Sequence, residues 1–357
     1  MPDKLQLDAI ERIKSWQLGR PLGPLRLQIN PTDKCNLKCR FCWLRDSTQV
    51  DYKNQLTEKR YIELIKEANE LGVKYIEITG GGEPFMRKAL VLDLIKKIKR
   101  YKIHGSLITN GTLFNDLDVK SIVMGGWDNI IFSLDSPKKE TQDYLRGKSY
   151  DKILETIKRF NYWKKKLKKE NPKLCIHFVV TNMNYKQLPE LVNLANDLNI
   201  KNVFIEPLVV VAKNNSGFDL KMNERQIKEF RKYVAMAYKL CSGYGIENNF
   251  ENYKDVNIIN FTNRMRDFLF LKSNKKSKIC FEPWYNVIVR PNGRVGPCCM
   301  FEYTDEYIHN KKLKEIWFGK YFEGMRKQLS QNQLPDYCKK CNPSKVIENI
   351  FLQKKMN

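Results

Sequence analysis

The sequence has little histidine, a deficit of acid and no long apolar run. Its three histidines, His104, His177 and His309, are scattered and show no ligand spacing, so no role is expected of them. No apolar stretch approaches the ~18 residues that cross a bilayer, which excludes a membrane-spanning helix. Met1 to Ile10 is polar and mixed in charge, without the apolar core of a secretory signal, and a cytoplasmic protein is expected. Asp and Glu number 40 against 64 Lys and Arg, giving a formal charge of +24. An excess of that size suits a polyanion partner, but it is spread along the chain and forms no single basic domain. Solvated charge, as in lysine-rich thermophile proteins, is the favoured reading, and nucleic acid is not the favoured partner. With 42% apolar residues in 357, the chain can bury a core large enough to exclude disorder throughout. Ten cysteines without a secretory signal point to metal or redox chemistry rather than a disulfide scaffold.

From Leu25 to Leu208, short apolar runs alternate with helical periods. The runs lie at 25–30, 75–79, 106–109, 130–134, 176–181 and 203–206, and the helical patterns at 57–71, 89–101, 116–124, 150–168 and 187–198. Six strands alternating with helices predict βα units on a parallel sheet, whose chemistry sits in the loops after the strands. A further helix is expected from Asn223 to Cys241, then a linker near Lys272–Lys278. Pro291-Asn292-Gly293 between two short runs signals a hairpin. Ser344–Lys355 reads as a short amphipathic helix. The expected organisation is an N-terminal segment (1–24), a core (25–212), a linking helical region (213–276), a small cysteine-bearing domain (277–345) and a tail (346–357). Cys175 and Cys241, inside a strand and a helix, are expected to be buried as small apolar residues.

The loop after the first strand carries Cys35, Cys39 and Cys42, spaced by three residues and then two. Three thiolates so close can converge on a soft metal centre. Cubane 4Fe–4S clusters usually take four, and no fourth cysteine is near in sequence, so one iron could stay open to a small molecule. A zinc site with a distant fourth ligand, or three merely structural cysteines, is the alternative. The pattern Cys-x-x-x-Cys-x-aromatic-Cys, met by Cys35, Cys39, Phe41 and Cys42, resembles the hallmark of the radical SAM superfamily. That resemblance implies a partial (β/α)6 TIM-like barrel of the α/β class and a 4Fe–4S cluster on the three cysteines. It further implies S-adenosylmethionine on the open iron, cleaved by one electron to methionine and a hydrogen-abstracting 5′-deoxyadenosyl radical. Phe41 would lie near the adenine.

Further segments at strand ends are similar to that family. Thr79-Gly80-Gly81-Gly82-Glu83-Pro84 resembles its Gly-Gly-Glu-Pro motif, which would place Gly81, Gly82 and Glu83 around the methionine amino group. Thr109-Asn110-Gly111 resembles a turn that puts Asn110 at the cofactor, and Ser133 and Asp135 resemble ribose contacts. Arg146 would pair with the cofactor carboxylate, its guanidinium suiting a carboxylate better than an ammonium would. Asn182, Asn184 and Glu206-Pro207 are either pocket or ordinary loop residues.

In the C-terminal part, twelve residues separate Cys280 from Gly293 and four separate Gly293 from Cys298. The hairpin at Asn292-Gly293 would fold Cys298 back toward Cys280, and Cys338-x-x-Cys341 could add two thiolates. This resembles the SPASM/twitch extension of radical SAM enzymes, with a second, auxiliary 4Fe–4S cluster on Cys280, Cys298, Cys338 and Cys341. Cys299 could replace Cys298, and zinc again is the alternative. No cysteine follows Cys341, so one auxiliary cluster is expected, as in the shorter twitch form. Four thiolates leave no open iron, which suits electron transfer. The resemblance implies an oxidoreductase served by a low-potential donor such as ferredoxin or flavodoxin. Trp43, Trp284 and Tyr285 would suit a ring or sugar, making a sugar or cyclitol the leading substrate class. A peptide- or protein-modifying enzyme and a basic RNA-binding iron–sulfur protein are the rivals.

Overall fold

The computed structural model describes residues 4–46, 52–210, 217–254, 280–299, 306–331, 333, 335, 338, 341 and 343–356. In chain order these form α1 (Lys4–Gln17), β1 (Arg26–Ile29), α2 (Glu58–Glu70), β2 (Tyr75–Ile78), α3 (Lys88–Arg100), β3 (His104–Thr109), α4 (Asp116–Met124), β4 (Asn129–Ser133) and α5 (Lys139–Arg146). Next come α6 (Tyr150–Lys166), β5 (Lys173–Val180), α7 (Leu188–Asp197), β6 (Asn202–Pro207), α8 (Glu224–Tyr244), β7 (Glu247–Asn248), β8 (Asn286–Val289) and β9 (Val295–Gly296). Helices Leu313–Trp317, Lys320–Ser330 and Pro343–Met356 follow. All six expected strands form. The starts of several helices are set by local chemistry. Thr57 accepts from the Arg60 N–H to begin α2, and Asn115 and Asp118 satisfy each other's backbone N–H groups in a capping box at α4. The expected linker near Lys272–Lys278 lies outside the described residues.

The chain divides into two compact units. The first comprises 1–33, 49–105 and 262–357, and the second comprises 34–48 and 106–261. In the first unit the strand order is β2-β1-β8-β9, parallel except for the β8–β9 hairpin, which pairs Ile288 with Gly296 and Val289 with Val295. The hairpin foreseen at Pro291-Asn292-Gly293 is thus present, closed by the Gly293 N–H on the Arg290 carbonyl at 2.9 Å. Helix α1 was not foreseen. Its Ala9, Ile10 and Ile13 are buried with Leu25, Phe281, Tyr285 and Leu352. Those partners lie far away in sequence, so local periodicity gave no hint of them.

In the second unit the order is β3-β4-β5-β6-β7, parallel throughout. Alternation along each strand separates two faces. Leu107, Ile130, Phe132, Ile176, Phe178, Val203 and Ile205 fill the buried face. Each contributes about 1.5–3 kcal/mol by leaving water. The opposite face carries Ser106, Asn129, Ile131, His177 and Glu206 and stays half-exposed. Cys175 and Cys241 are buried as foreseen, and desolvation pushes their thiols up, to about 11 and about 12.

Candidate metal and cofactor site

In the second unit the cysteine loop is held by backbone and amide contacts. The Arg40 N–H donates to the Leu145 carbonyl at 2.9 Å, tying the loop to the end of α5. Asn110, after β3, donates to Asn36 Oδ1 at 2.9 Å, and Asn36 donates to Thr112 Oγ1 at 2.8 Å. Asn110 therefore braces the loop through Asn36, a residue of the cysteine motif. Cys39 is buried while Cys35 is exposed and Cys42 lies between. Desolvation raises the Cys39 thiol; Arg146 opposes this, and Cys42 and Asp135 add to it.

Arg146 joins the expected residues together. Its Nε bonds Asp135 Oδ2, its Nη1 lies 3.8 Å from Cys39 Sγ, and its guanidinium sits 5.1 Å from the centre of the Phe41 ring. Burial alone would lower its pKa, but Asp135 and then Cys39 raise it, so it remains a cation. Asp135 is fully buried and its other oxygen accepts the Val179 N–H at 2.8 Å. Gln142, one turn before Arg146, accepts from the Asp135 N–H at 2.8 Å and donates to the Ser133 carbonyl at 3.4 Å. Phe41 packs closely against Gly217, where an added Cβ would fall 2.7 Å from the Phe41 Cβ and where φ is +80°.

In the first unit the Gly82 N–H donates to the Thr32 carbonyl at 3.1 Å. Glu83 is buried and accepts the Phe85 N–H at 3.1 Å, which starts the single helical turn Pro84–Arg87. Gly80 must be glycine, since a Cβ there would meet the Gly82 carbonyl oxygen at 1.7 Å.

The same unit holds the other cysteines. Cys280, Cys298, Cys299, Cys338 and Cys341 are all partly buried. The Cys341 N–H donates to the Cys338 carbonyl at 3.2 Å, so the pair shares one turn. Desolvation pushes up the thiols of Cys280, Cys338 and Cys341, that of Cys338 to about 12. Cys338 and Cys341 raise Cys280 further, and Cys298, Cys299 and Cys338 raise Cys341. These thiols are near enough to raise one another, and thiolates that repel in this way would be stabilised by a positively charged iron–sulfur core. Among the described residues, no three His, Cys, Asp or Glu side chains are gathered as ligands of a single metal ion.

Two expectations change. Tyr285, expected to suit a substrate ring, is instead fully buried, its hydroxyl bonded to Glu282 at 2.7 Å and Glu348 at 2.9 Å, and Trp284 packs against the α1 core. His177, given no role, bonds Glu206 Oε2 at 2.9 Å on the half-exposed face of the second unit. Burial lowers its pKa, but the hydrogen bond and charge of Glu206 outweigh that and raise it. The readable signal was alternation, which places His177 two residues from Val179 on one face of β5.

Among the described residues, no helix is long and apolar enough to cross a membrane. A model of the Radical SAM superfamily matches residues 29–195, and one of the iron–sulfur cluster-binding SPASM domain matches 280–342. A probable GTP 3′,8-cyclase of Thermococcus kodakarensis is 35% identical over 131 residues, 37% of this chain and 41% of the relative. The chain spans about half the length of the curated cyclases it matches. A tungsten-containing aldehyde ferredoxin oxidoreductase cofactor-modifying protein of Pyrococcus furiosus is 25% identical over 342 residues, covering 88% of this chain and 86% of the relative. Among solved structures, Streptococcus suis SuiB bound to S-adenosylmethionine superposes with a TM-score of 0.67 at 21% identity, over 94% of this chain and 76% of that one. That likeness is one of fold, the mostly parallel α/β architecture expected of a partial barrel. A family model thus lies over each cysteine-bearing segment: residues 29–195 form a radical SAM domain and residues 280–342 a SPASM domain, domains whose cofactors are iron–sulfur clusters and S-adenosylmethionine.

Proposed function

We propose that the chain is a radical SAM oxidoreductase acting on a hydroxyl-rich small molecule such as a sugar or cyclitol. Cys35, Cys39 and Cys42 hold the first cluster, and Cys280, Cys338, Cys341 and either Cys298 or Cys299 hold the second. When bound, these cofactors supply a 5′-deoxyadenosyl radical that takes hydrogen from substrate and an acceptor for the electron left behind. The observation that carries this reading is the pair of separate thiol groups, one of three cysteines in a loop where Cys39 lies beside a buried guanidinium, and one of five cysteines in the other unit.

The remaining roles belong to the chain's own side chains. Arg146 keeps a positive charge against Cys39 and offers a partner to the cofactor carboxylate. Glu83 offers a buried acceptor to its ammonium group, with the backbone of Gly81 and Gly82 alongside. Phe41 gives a flat apolar contact for adenine. Ser133 and Asp135 suit the ribose, and Asn110 keeps the loop in shape through Asn36. The half-exposed face with Ser106, Asn129, His177 and Glu206 supplies the donors and acceptors that hydroxyl groups need.

The test is anaerobic reconstitution. About eight irons per chain and 5′-deoxyadenosine on adding dithionite and S-adenosylmethionine are expected. Cys39→Ala should abolish cleavage. Cys338→Ala should lose about half of the iron and all product while still cleaving the cofactor. Normal cleavage by Cys39→Ala would sink the assignment of the first site. Consumption of GTP, but of no inositol, aminocyclitol or hexose, would overturn the substrate class.

A further inference from the structure

We propose that Arg87 is a positioning residue for the methionine end of S-adenosylmethionine: together with Gly82 it clamps the glycine-rich turn to the exit of β1 and so fixes the place of Glu83 between them. This goes beyond the preceding reading and rests on it, since there Glu83 takes the ammonium group of the cofactor. Arg87 plays its part through the turn, not by contact with the cofactor. All the residues concerned belong to the first unit.

The chain leaving β1 presents three carbonyls in a row, and each meets a donor from elsewhere. The Asn30 carbonyl accepts from the Tyr61 hydroxyl at 2.8 Å, the Pro31 carbonyl from Arg87 Nη1 at 3.1 Å and the Thr32 carbonyl from the Gly82 N–H at 3.1 Å. All three residues are buried, so water cannot replace a lost donor there. Two of the donors, Gly82 and Arg87, stand on the same turn, one on each side of Glu83. A turn attached at one point can swing about it, while a turn attached at two keeps its orientation. Glu83 is itself buried and accepts the Phe85 N–H at 3.1 Å, so its carboxylate moves with the turn.

Arg87 immediately precedes α3, yet its side chain makes no capping bond to that helix. Its guanidinium lies 5.4 Å from the centre of the Tyr61 ring, and Nη1 donates also to the Leu56 carbonyl at 3.0 Å. The Leu56 N–H in turn donates to the Pro291 carbonyl at 2.7 Å. One guanidinium thus joins the glycine-rich turn to the β1 exit and, through Leu56, to the hairpin that leads to Cys298. Burial pushes the Tyr61 phenol up, with Arg87 opposing, so its hydroxyl stays a donor to Asn30. Glu58 lies 3.8 Å from Arg87 but is well exposed, and such a pair contributes little to where the guanidinium sits. The carbonyls hold it, and a planar fork suits several acceptors at once.

The experiment is anaerobic calorimetry of S-adenosylmethionine binding to the holoprotein, without reductant and with iron counted in the same samples. Arg87→Met keeps the stem and loses the donors. It should weaken binding about tenfold, within the cost of a misplacement of about 1 Å, while iron per chain stays the same. Tyr61→Phe removes only the hydroxyl and should weaken binding about threefold. Two controls separate positioning from a plain loss of stability. Glu58→Gln removes the ion pair alone, and Ile95→Val loosens the buried side of α3 in the same unit. Both should bind the cofactor within about twofold of the wild type. Wild-type affinity in Arg87→Met overturns the proposal, and so does an equal weakening in Ile95→Val. If Arg87→Met fails to fold or to hold iron, Tyr61→Phe decides, and wild-type affinity there overturns the proposal. Glu83→Gln tests the preceding reading separately. Its wild-type affinity would sink that reading and the proposal with it, whereas weakening in Glu83→Gln without weakening in Arg87→Met would sink the proposal alone.

Discussion

Arg146 links three parts of the cysteine-loop region. It bonds Asp135, approaches Cys39 and lies over Phe41. Arg146→Ala would leave the fully buried Asp135 carboxylate with the Val179 N–H and no counter-charge. A loss of about 3–5 kcal/mol in urea unfolding is expected, partly recovered by adding Asp135→Asn. Arg146→Lys should keep the charge but lose the forked geometry, and 5′-deoxyadenosine formation should drop. The sequence reading brought Arg146 and Asp135 to the site separately, one for a carboxylate and one for a ribose. It did not foresee that they bind each other, because that depends on how α5 leaves β4. His177 makes a second prediction. Burial lowers its pKa, but Glu206 and then Asp135 raise it above its ordinary 6.5, with Arg146 opposing. The folded state therefore prefers the protonated ring. The stability that His177 adds over His177→Gln is complete below about pH 6.5 and disappears as pH climbs through the raised value. Urea midpoints of the two proteins should accordingly converge toward alkaline pH, and Glu206→Gln should remove the effect.

Among the elements, α5 matters most for its size. Its eight residues place Gln142 and Arg146 four apart on one face, both against the β4–α5 turn. Gln142 is fully buried and bonds the Asp135 N–H, the Ser133 carbonyl and, at 3.2 Å, Ser149 Oγ. Gln142→Ala should cost about 1–3 kcal/mol in chemical denaturation, since it strands buried partners, and should lower cofactor cleavage by letting Asp135 shift. Most elements were legible in the sequence, because apolar runs such as Ile130–Leu134 and capped periods such as Asp116–Met124 carry their own local signals. The first cysteine loop was legible for the same reason: its three thiols lie within eight residues of one another. The His177–Glu206 pair was not, since the two lie 29 positions apart and only the parallel β5–β6 register, Val179 beside Glu206, brings them together. Helix α1 was missed because its burial depends on Phe281, Tyr285 and Leu352, near the other end of the chain.

For the whole molecule, the formal charge of +24 demands an account. Lys164, Lys165 and Lys166 end α6, where cations suit the helix dipole, and Lys166 and Lys120 lie 4.9 and 5.0 Å from the Trp163 ring centre. Such lysines have local duties and need no polyanion. Bulk transfer RNA should therefore bind loosely and be released by about 0.2 M salt in an electrophoretic shift, and retention above that would revive a nucleic-acid role.

Helix α1 has a practical consequence. Its apolar side packs on Phe281, the residue after Cys280, and on Leu352 of the last helix. Helix α1 and helix Pro343–Met356 thus jointly roof the stretch that begins with Cys280. Removing either helix would unroof that stretch, and any iron held by the SPASM domain should then be the first to be lost.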